Sequence, residues 1–224
     1  MRRILRTPRF KKALFLSHVM NDTTPLYGGK GSIAIRSERS IARGDSCNTM
    51  RISFPNHAGT HIDAPRHCIR NGRSITDFRP QEWIFDTIAL LKLPACPPGY
   101  LISPDDIGRV RDCDLLLIKT GFEKYRAKPV YWRDSPGLHP SLARFLRREC
   151  PSLRAVGIDF ISVSNRNKRI IGRKAHRAFL NASLVLIEDM RLRQLTARPD
   201  AVIVAPVLIE KADGAPCCVF GLYQ

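Results

Sequence analysis

Apolar and polar positions along the 224-residue chain switch repeatedly between a period of two and a period near 3.6, which divides it into many short strands and a few helices. A strand is predicted in KALFLSHV, residues 12–19, ahead of the turn-rich NDTTPLYGGKG. Segments 32–37 and 48–54 alternate and predict strands on either side of a polar loop. Further strands are predicted at 84–93 (IFDTIALLKL), 114–122 (DLLLIKTGF), 153–164 (LRAVGIDFISVS) and 183–190 (SLVLIEDM).

Three segments carry the helical period. SPDDIGRV opens with Ser103 as N-cap and Pro104 at the first helical position. In HPSLARFLRREC, begun by Pro140, the residues Leu142, Phe145 and Leu146 form an apolar stripe opposite Arg144, Arg147 and Arg148. GRKAHRAFLNAS predicts the third, at 172–183. The stretch 201–223 predicts a β-hairpin with Asp213-Gly214 in its loop. Strands outnumber helices, and hairpins mix with crossover helices. The pattern therefore predicts one α/β domain with a mixed β-sheet.

Composition changes this picture in three places. The start, MRRILRTPRFKK, resembles the charged part of a signal peptide, but Ser17 and His18 break the apolar run behind it. Residues 1–11 are expected to be a basic tail and 12–224 the domain. No apolar run approaches the ~20 residues that cross a bilayer. The seven cysteines include no C-x-x-C pair, so free thiols in a reducing, cytoplasmic setting are expected rather than a disulfide scaffold or a thiolate zinc site. The net charge of +17 invites nucleic acid or an acidic ligand as partner. Its lysines and arginines are spread along the chain without interleaved aromatics, which argues against a base-stacking platform.

The chemistry concentrates in PNHAGTHIDAPRHC, residues 55–68. Pro55, Gly59 and Pro65 interrupt any helix, and an extended reading puts His57, Gly59, His61, Asp63 and His67 on one side. A straight strand would hold His57 and His61 roughly 13 Å apart. One ion can take both only if the chain bends, and Gly59 is where it can. His176, in the third predicted helix, and Glu188, set among Val185, Leu186 and Ile187, form a second candidate pair. A carboxylate in such apolar company needs a partner or a metal if it is buried, and neither if the strand end is exposed.

With these residues in view, H-A-G-T-H-I-D-A-P-R-H resembles the signature of the cyclase-like metal-dependent hydrolases, the family of bacterial kynurenine formamidase and isatin hydrolase. P-L-Y-G-G at 25–29, K-T-G at 119–121, G-I-D at 157–159 and G-R-K-A-H-R-A-F-L followed by L-I-E-D fall in the family's order. The resemblance implies a swivelling β/β/α fold, a dimer or tetramer, and one or two divalent ions, zinc or manganese. It implies His57, His61 and Asp63 as ligands of a first ion, Asp63 bridging to a second held by His176 and Glu188, and His67 as acid/base. Ala58 stands where the family usually has a second glycine, and Phe15 where an aspartate commonly precedes Leu-Ser.

Imidazoles and carboxylates suit zinc or manganese on chemical grounds too, and leave room for water. The expected reaction is hydrolysis of a C–N bond in a small amide, such as an aryl formamide or cyclic amide. The attacking hydroxide would be made on the ion, and His67 would carry the proton. The alternatives are a cyclase or lyase acting on another carbonyl substrate, and a basic binder of nucleic acid or acidic ligands with a structural metal. Phe54, Phe78, Trp83, Phe85, Tyr131 and Trp132 are open to two readings, aromatic pocket or core.

Overall fold

The computed structural model describes residues 10–94 and 96–224; residues 1–9 of the expected basic tail lie outside it. In chain order the strands are β1 (Lys12–Phe15), β2 (Ala34–Arg39), β3 (Thr49–Ser53), β4 (His61–Asp63), β5 (Ile84–Phe85), β6 (Ile88–Lys92) and β7 (Leu101–Ile102). They continue as β8 (Leu115–Lys119), β9 (Gly137–Leu138), β10 (Ala155–Ile158), β11 (Val185–Glu188), β12 (Ala201–Pro206) and β13 (Gly214–Tyr223). The α-helices are α1 (Pro104–Ile107), α2 (Pro129–Arg133), α3 (Ser141–Glu149) and α4 (Arg169–Asn181).

Nine strands form one mixed sheet in the order β5-β12-β13-β4-β11-β10-β8-β6, with β1 also paired to β13. The wing β6, β8, β10 and β11 is parallel, and the other pairings are antiparallel. The predicted strand 84–93 is in fact two strands, β5 and β6, and these are the two ends of the sheet. Only Asp86 and Thr87 join them, a link that reaches at most roughly 11 Å. The ends therefore stand side by side, and the sheet curls almost into a barrel. The link is tied down where it turns: the Thr87 N–H donates to the Asp114 carboxylate at 3.2 Å, and the Asp114 N–H donates to the Thr87 carbonyl at 2.8 Å.

The parallel strands β8, β10 and β11 are buried on both faces, which explains their nearly continuous apolar sequences. Leu116, Ile118, Val156, Ile158 and Leu186 face the core under α3 and α4. Leu115, Leu117, Ala155, Val185 and Ile187 face a second core shared with Ile62, Val202, Val204 and Val219. The small ribbon β2–β3, at the two predicted alternating segments, carries a bulge between Ser37 and Arg39.

Other elements differ from expectation for local reasons. The strand predicted over 153–164 stops at Ile158, because the next carboxylate, Asp159, accepts the Thr120 N–H and hydroxyl and the Gly121 N–H and turns the chain away. Helix α4 begins at Arg169 rather than Gly172, since the Asn165 side chain caps the 3-10 turn Arg166–Lys168 that leads into it. In α3 the buried stripe is Leu142, Ala143 and Leu146, with Phe145 only partly covered. Arg147 does not simply face water but donates to the Pro151 and Ala182 carbonyls. Gly214 is the first residue of β13, so the hairpin loop ends at Asp213. Helix α1 keeps its Ser103 cap, with the Asp106 carboxylate returning the bond. No helix among the described residues is long and apolar enough to cross a membrane.

Candidate active site

Sheet register builds the site. In the antiparallel pair β4–β11, His61 is opposite Glu188, Ile62 opposite Ile187, and Asp63 opposite Leu186. Side chains opposite one another share a face. Ile62 and Ile187 therefore enter one core, while His61, Glu188 and Asp63 project from the other face, the one that α4 covers. Helix α4 delivers His176 to the same place. All four residues are between 1 % and 7 % exposed. The reading of Glu188 as an exposed strand-end carboxylate is excluded.

The distances describe a tight cluster. His61 Nε2 lies 3.4 Å from both Asp63 Oδ1 and Glu188 Oε2, and His176 Nε2 lies 3.2 Å from Asp63 Oδ2 and 3.5 Å from Glu188 Oε1. The far edges of both rings are held: His61 Nδ1 donates to the Gly59 carbonyl at 2.8 Å, and His176 Nδ1 is 2.9 Å from Ser164 Oγ and 3.2 Å from the Gly172 carbonyl. Glu188 Oε1 accepts the Val163 N–H at 2.7 Å.

The predicted bend occurs at Gly59, whose φ of +63° is left-handed and costs other residues energy. It carries His57 round so that His57 Nδ1 lies 2.8 Å from Asp63 Oδ1. Room for that ring comes from Gly214, where a Cβ would collide with it. A turn at Pro65–His67 then returns His67 to the same side. All six expected residues, His57, His61, Asp63, His67, His176 and Glu188, line one pocket of about 330 Å³.

Burial opposes charge on every inner group, and pairing outweighs it. Bonds from His176, His57 and His61 hold the Asp63 carboxyl well below the usual range against its desolvation. Burial and Asp63 push Glu188 up, but His176 and His61 keep it below its ordinary value. The same carboxylates raise His61 and His176 well above theirs despite burial. Among the described residues, neither Asp63 nor Glu188 has a lysine or arginine within 4.0 Å. Two buried carboxylates facing imidazoles and no basic side chain, with the back edges of His61 and His176 locked by carbonyl or hydroxyl oxygens, are a donor set that fits a divalent cation. The ligand atoms of His57, His61 and Asp63 all lie within 4.8 Å of one another.

Asp213 is the residue the sequence did not reveal. Its Oδ2 lies 2.8 Å from His67 Nδ1 and 3.0 Å from His57 Nε2, while Asn56 donates to Oδ1 at 2.7 Å. Desolvation opposes its charge, but the two imidazoles and Asn56 bring its carboxyl down to about 2. In sequence it is merely the Asp of an Asp-Gly turn. Tyr27, Arg169 and Arg173 also line the pocket. The aromatics nominated from sequence do not: Trp83, Phe85 and Tyr131 are core, and none of the six reaches it. Cys68 does line the pocket, with its thiol raised mainly by burial and so held protonated.

Residues 14–165 match the model of the Cyclase family, and the chain belongs to that family. Kynurenine formamidase of Geobacillus thermodenitrificans is 24 % identical over 208 residues, covering 90 % of this chain and 92 % of the relative. Isatin hydrolase A of Labrenzia aggregata superposes with a TM-score of 0.78 at 21 % identity, over 95 % of this chain and 93 % of the other. A structure described as a potential metal-dependent hydrolase with cyclase activity gives a TM-score of 0.73 at 22 % identity, over 95 % and 98 %. The fold is the mixed, single-domain α/β fold of these proteins, and the chain is an enzyme of the cyclase family.

Proposed function

We propose that the protein is a metal-dependent hydrolase of C–N bonds in amides, with aryl formamides and cyclic amides as substrates. The observation that carries this is the pair of buried carboxylates, Asp63 and Glu188, facing imidazoles and no lysine or arginine at the floor of a pocket whose wall holds His67 on Asp213. In this reading His57, His61, Asp63, His176 and Glu188 hold one or two ions, zinc or manganese. When bound, such an ion lowers the pKa of water and polarises a carbonyl oxygen.

The chain's own residues supply the rest. Asp213 accepts from His67 Nδ1, which leaves Nε2 as the nitrogen that takes a proton from the attacking water and returns it to the leaving nitrogen. The Gly59 carbonyl and the Ser164–Gly172 pair fix how the His61 and His176 rings present their Nε2 atoms. The Val163 N–H keeps Glu188 from swinging away. The kynurenine formamidase and isatin hydrolase relatives support an acyclic formamide and a lactam as the two substrates to try first.

The test is elemental analysis of purified protein, followed by assays with formanilide and isatin before and after chelation. Turnover of at least one amide, lost with a chelator and restored by zinc or manganese, is expected. A protein that takes up neither metal on reconstitution, or that hydrolyses no member of an amide and lactam panel while loaded, overturns the reading.

A further inference from the structure

Five arginines around the pocket mouth are left unabsorbed by this account. Arg169, Arg173 and Arg177 occupy one stripe of α4 at four-residue spacing, and the same helix carries His176 to the buried cluster. Arg66 lies within the turn that carries His67, and Arg70 follows it. Arg169 and Arg173 line the pocket itself. Arg66, Arg70, Arg173 and Arg177 line an adjoining groove of about 400 Å³ that shares His67, Cys68 and Arg173 with it and has no carboxylate in its lining.

Three features of these exposed arginines favour an anionic occupant. Among the described residues, none of the five is in an ion pair, whereas Arg73, Arg126 and Arg154 all are. Like charges four residues apart on a helix repel, so the α4 stripe costs stability rather than adding it. Arg169 opens α4, where the helix dipole favours an anion and no acidic side chain stands in the first turn. An oxyanion in the groove would relieve the repulsion there and give Arg173 and Arg177 a partner, because guanidinium forks bind carboxylate and phosphate with paired hydrogen bonds.

We infer that the enzyme acts on amides carrying a second, anionic group, a carboxylate or a phosphate, which Arg173 and Arg177 with Arg66 and Arg70 seat in the groove beside His67. This rests on the hydrolase reading for the reaction but not for the binding. The scissile carbonyl would lie over the buried cluster, and the oxyanion one groove away would set the substrate's register.

The experiment has a binding arm and a kinetic arm, both on metal-loaded full-length protein. Benzoate, inorganic phosphate and neutral benzamide are titrated by calorimetry at constant ionic strength against wild type, Arg173→Gln, Arg177→Gln and Arg66→Gln. A control, Arg36→Gln/Arg39→Gln, removes charge from the β2–β3 ribbon. One anion is expected to bind wild type and the control alike and each groove variant about tenfold or more weaker, with benzamide indifferent; which anion does so names the group. Kinetically, para-formamidobenzoate or para-formamidophenyl phosphate should exceed formanilide in kcat/KM, with Arg177→Gln, which lies in the groove and outside the catalytic pocket, erasing the advantage and leaving formanilide turnover in place. Equal loss in the control, or equal kcat/KM for charged and neutral formamides in a working hydrolase, overturns the subsite. Binding of a DNA oligonucleotide that falls in the groove variants, with neither small anion bound, overturns it as well. Arginine-dependent anion binding without turnover of any amide would instead retain the subsite and remove the hydrolase reading.

Discussion

Glu188 and Asp189 are neighbours in sequence, both almost wholly buried, yet the fold treats their charges in opposite ways. Asp189 is neutralised by a permanent partner: Arg126 Nε and Nη2 reach its two oxygens at 2.9 and 2.7 Å, and the Tyr131 hydroxyl donates at 2.5 Å. Glu188 meets no such cation: its charged or ionisable neighbours are imidazoles and a second carboxylate, with the Val163 N–H and the Ser162 hydroxyl donating to it. A guanidinium cannot lose its proton and fills its place for good. An imidazole can release a proton and so can give way to a cation. One buried acid is thus closed and structural, while its neighbour faces groups that can yield to the ion proposed above.

The largest expected effect breaks the open side. Asp63→Ala removes the carboxylate that touches His57, His61 and His176 together, and bound metal and activity should vanish together, by roughly 10³-fold or more in kcat/KM. Metal content and steady-state kinetics on one amide check it. His67→Ala should keep its metal and KM while kcat falls ~10²–10⁴-fold, because proton transfer counts in the transition state. Asp213→Asn, which loosens His67 without removing it, should cost less, roughly 10–100-fold. If His67→Ala strips the metal as Asp63→Ala does, His67 is a ligand and the division of labour drawn here is wrong.

On the closed side, Arg126→Met leaves Asp189 buried and unpaired and should destabilise by about 3–5 kcal/mol, whereas Arg126→Met/Asp189→Leu should recover most of that loss. Denaturant unfolding distinguishes them. The smallest effect concerns His18, beside the same pair. Burial, with help from Arg126 and Arg191, lowers its pKa from 6.5 to about 4 in spite of Asp189. The unfolded chain accepts a proton near 6.5 that the folded chain refuses until about 4. Stability from this residue is therefore full above that window and is lost as pH falls through it. The loss should be on the order of 1–2 kcal/mol after screening. His18→Phe should flatten the wild-type stability curve between those two pH values.

The local half of the site was legible in its residues. A bend at Gly59, histidines and an aspartate on one side of a short strand, and a helix delivering His176 all follow from spacing and backbone freedom. The apolar company of Glu188 raised the question of burial, and register answered it. What stayed hidden depends on closure of the sheet. Asp213 reaches His67 only because β13 pairs with β4 across some 150 residues, and no periodicity reports such a partner. The break at Asp86–Thr87 was invisible for a similar reason: 84–93 is apolar enough for one strand, and only the full strand order requires two. The groove arginines looked scattered because a helix and a distant turn bring them together.

The two-residue link between β5 and β6 also bears on the order in which the molecule assembles. The parallel wing collects strands roughly 30–40 residues apart, a modest loop-closure cost, whereas β4 must wait for β11 and β13, more than a hundred residues downstream. The His61–Asp63 strand, which joins the parallel wing to the antiparallel half of the sheet, is therefore expected to dock late. Because the residues proposed to hold the ion come from both sides of that docking, cation binding would pull on it and appear as added stability of the β4–β11 and β4–β13 pairings rather than of the β8–β10 pairing. Amide hydrogen exchange should register this as slower opening of β4, β11 and β13 on metal addition, with β8 and β10 little changed.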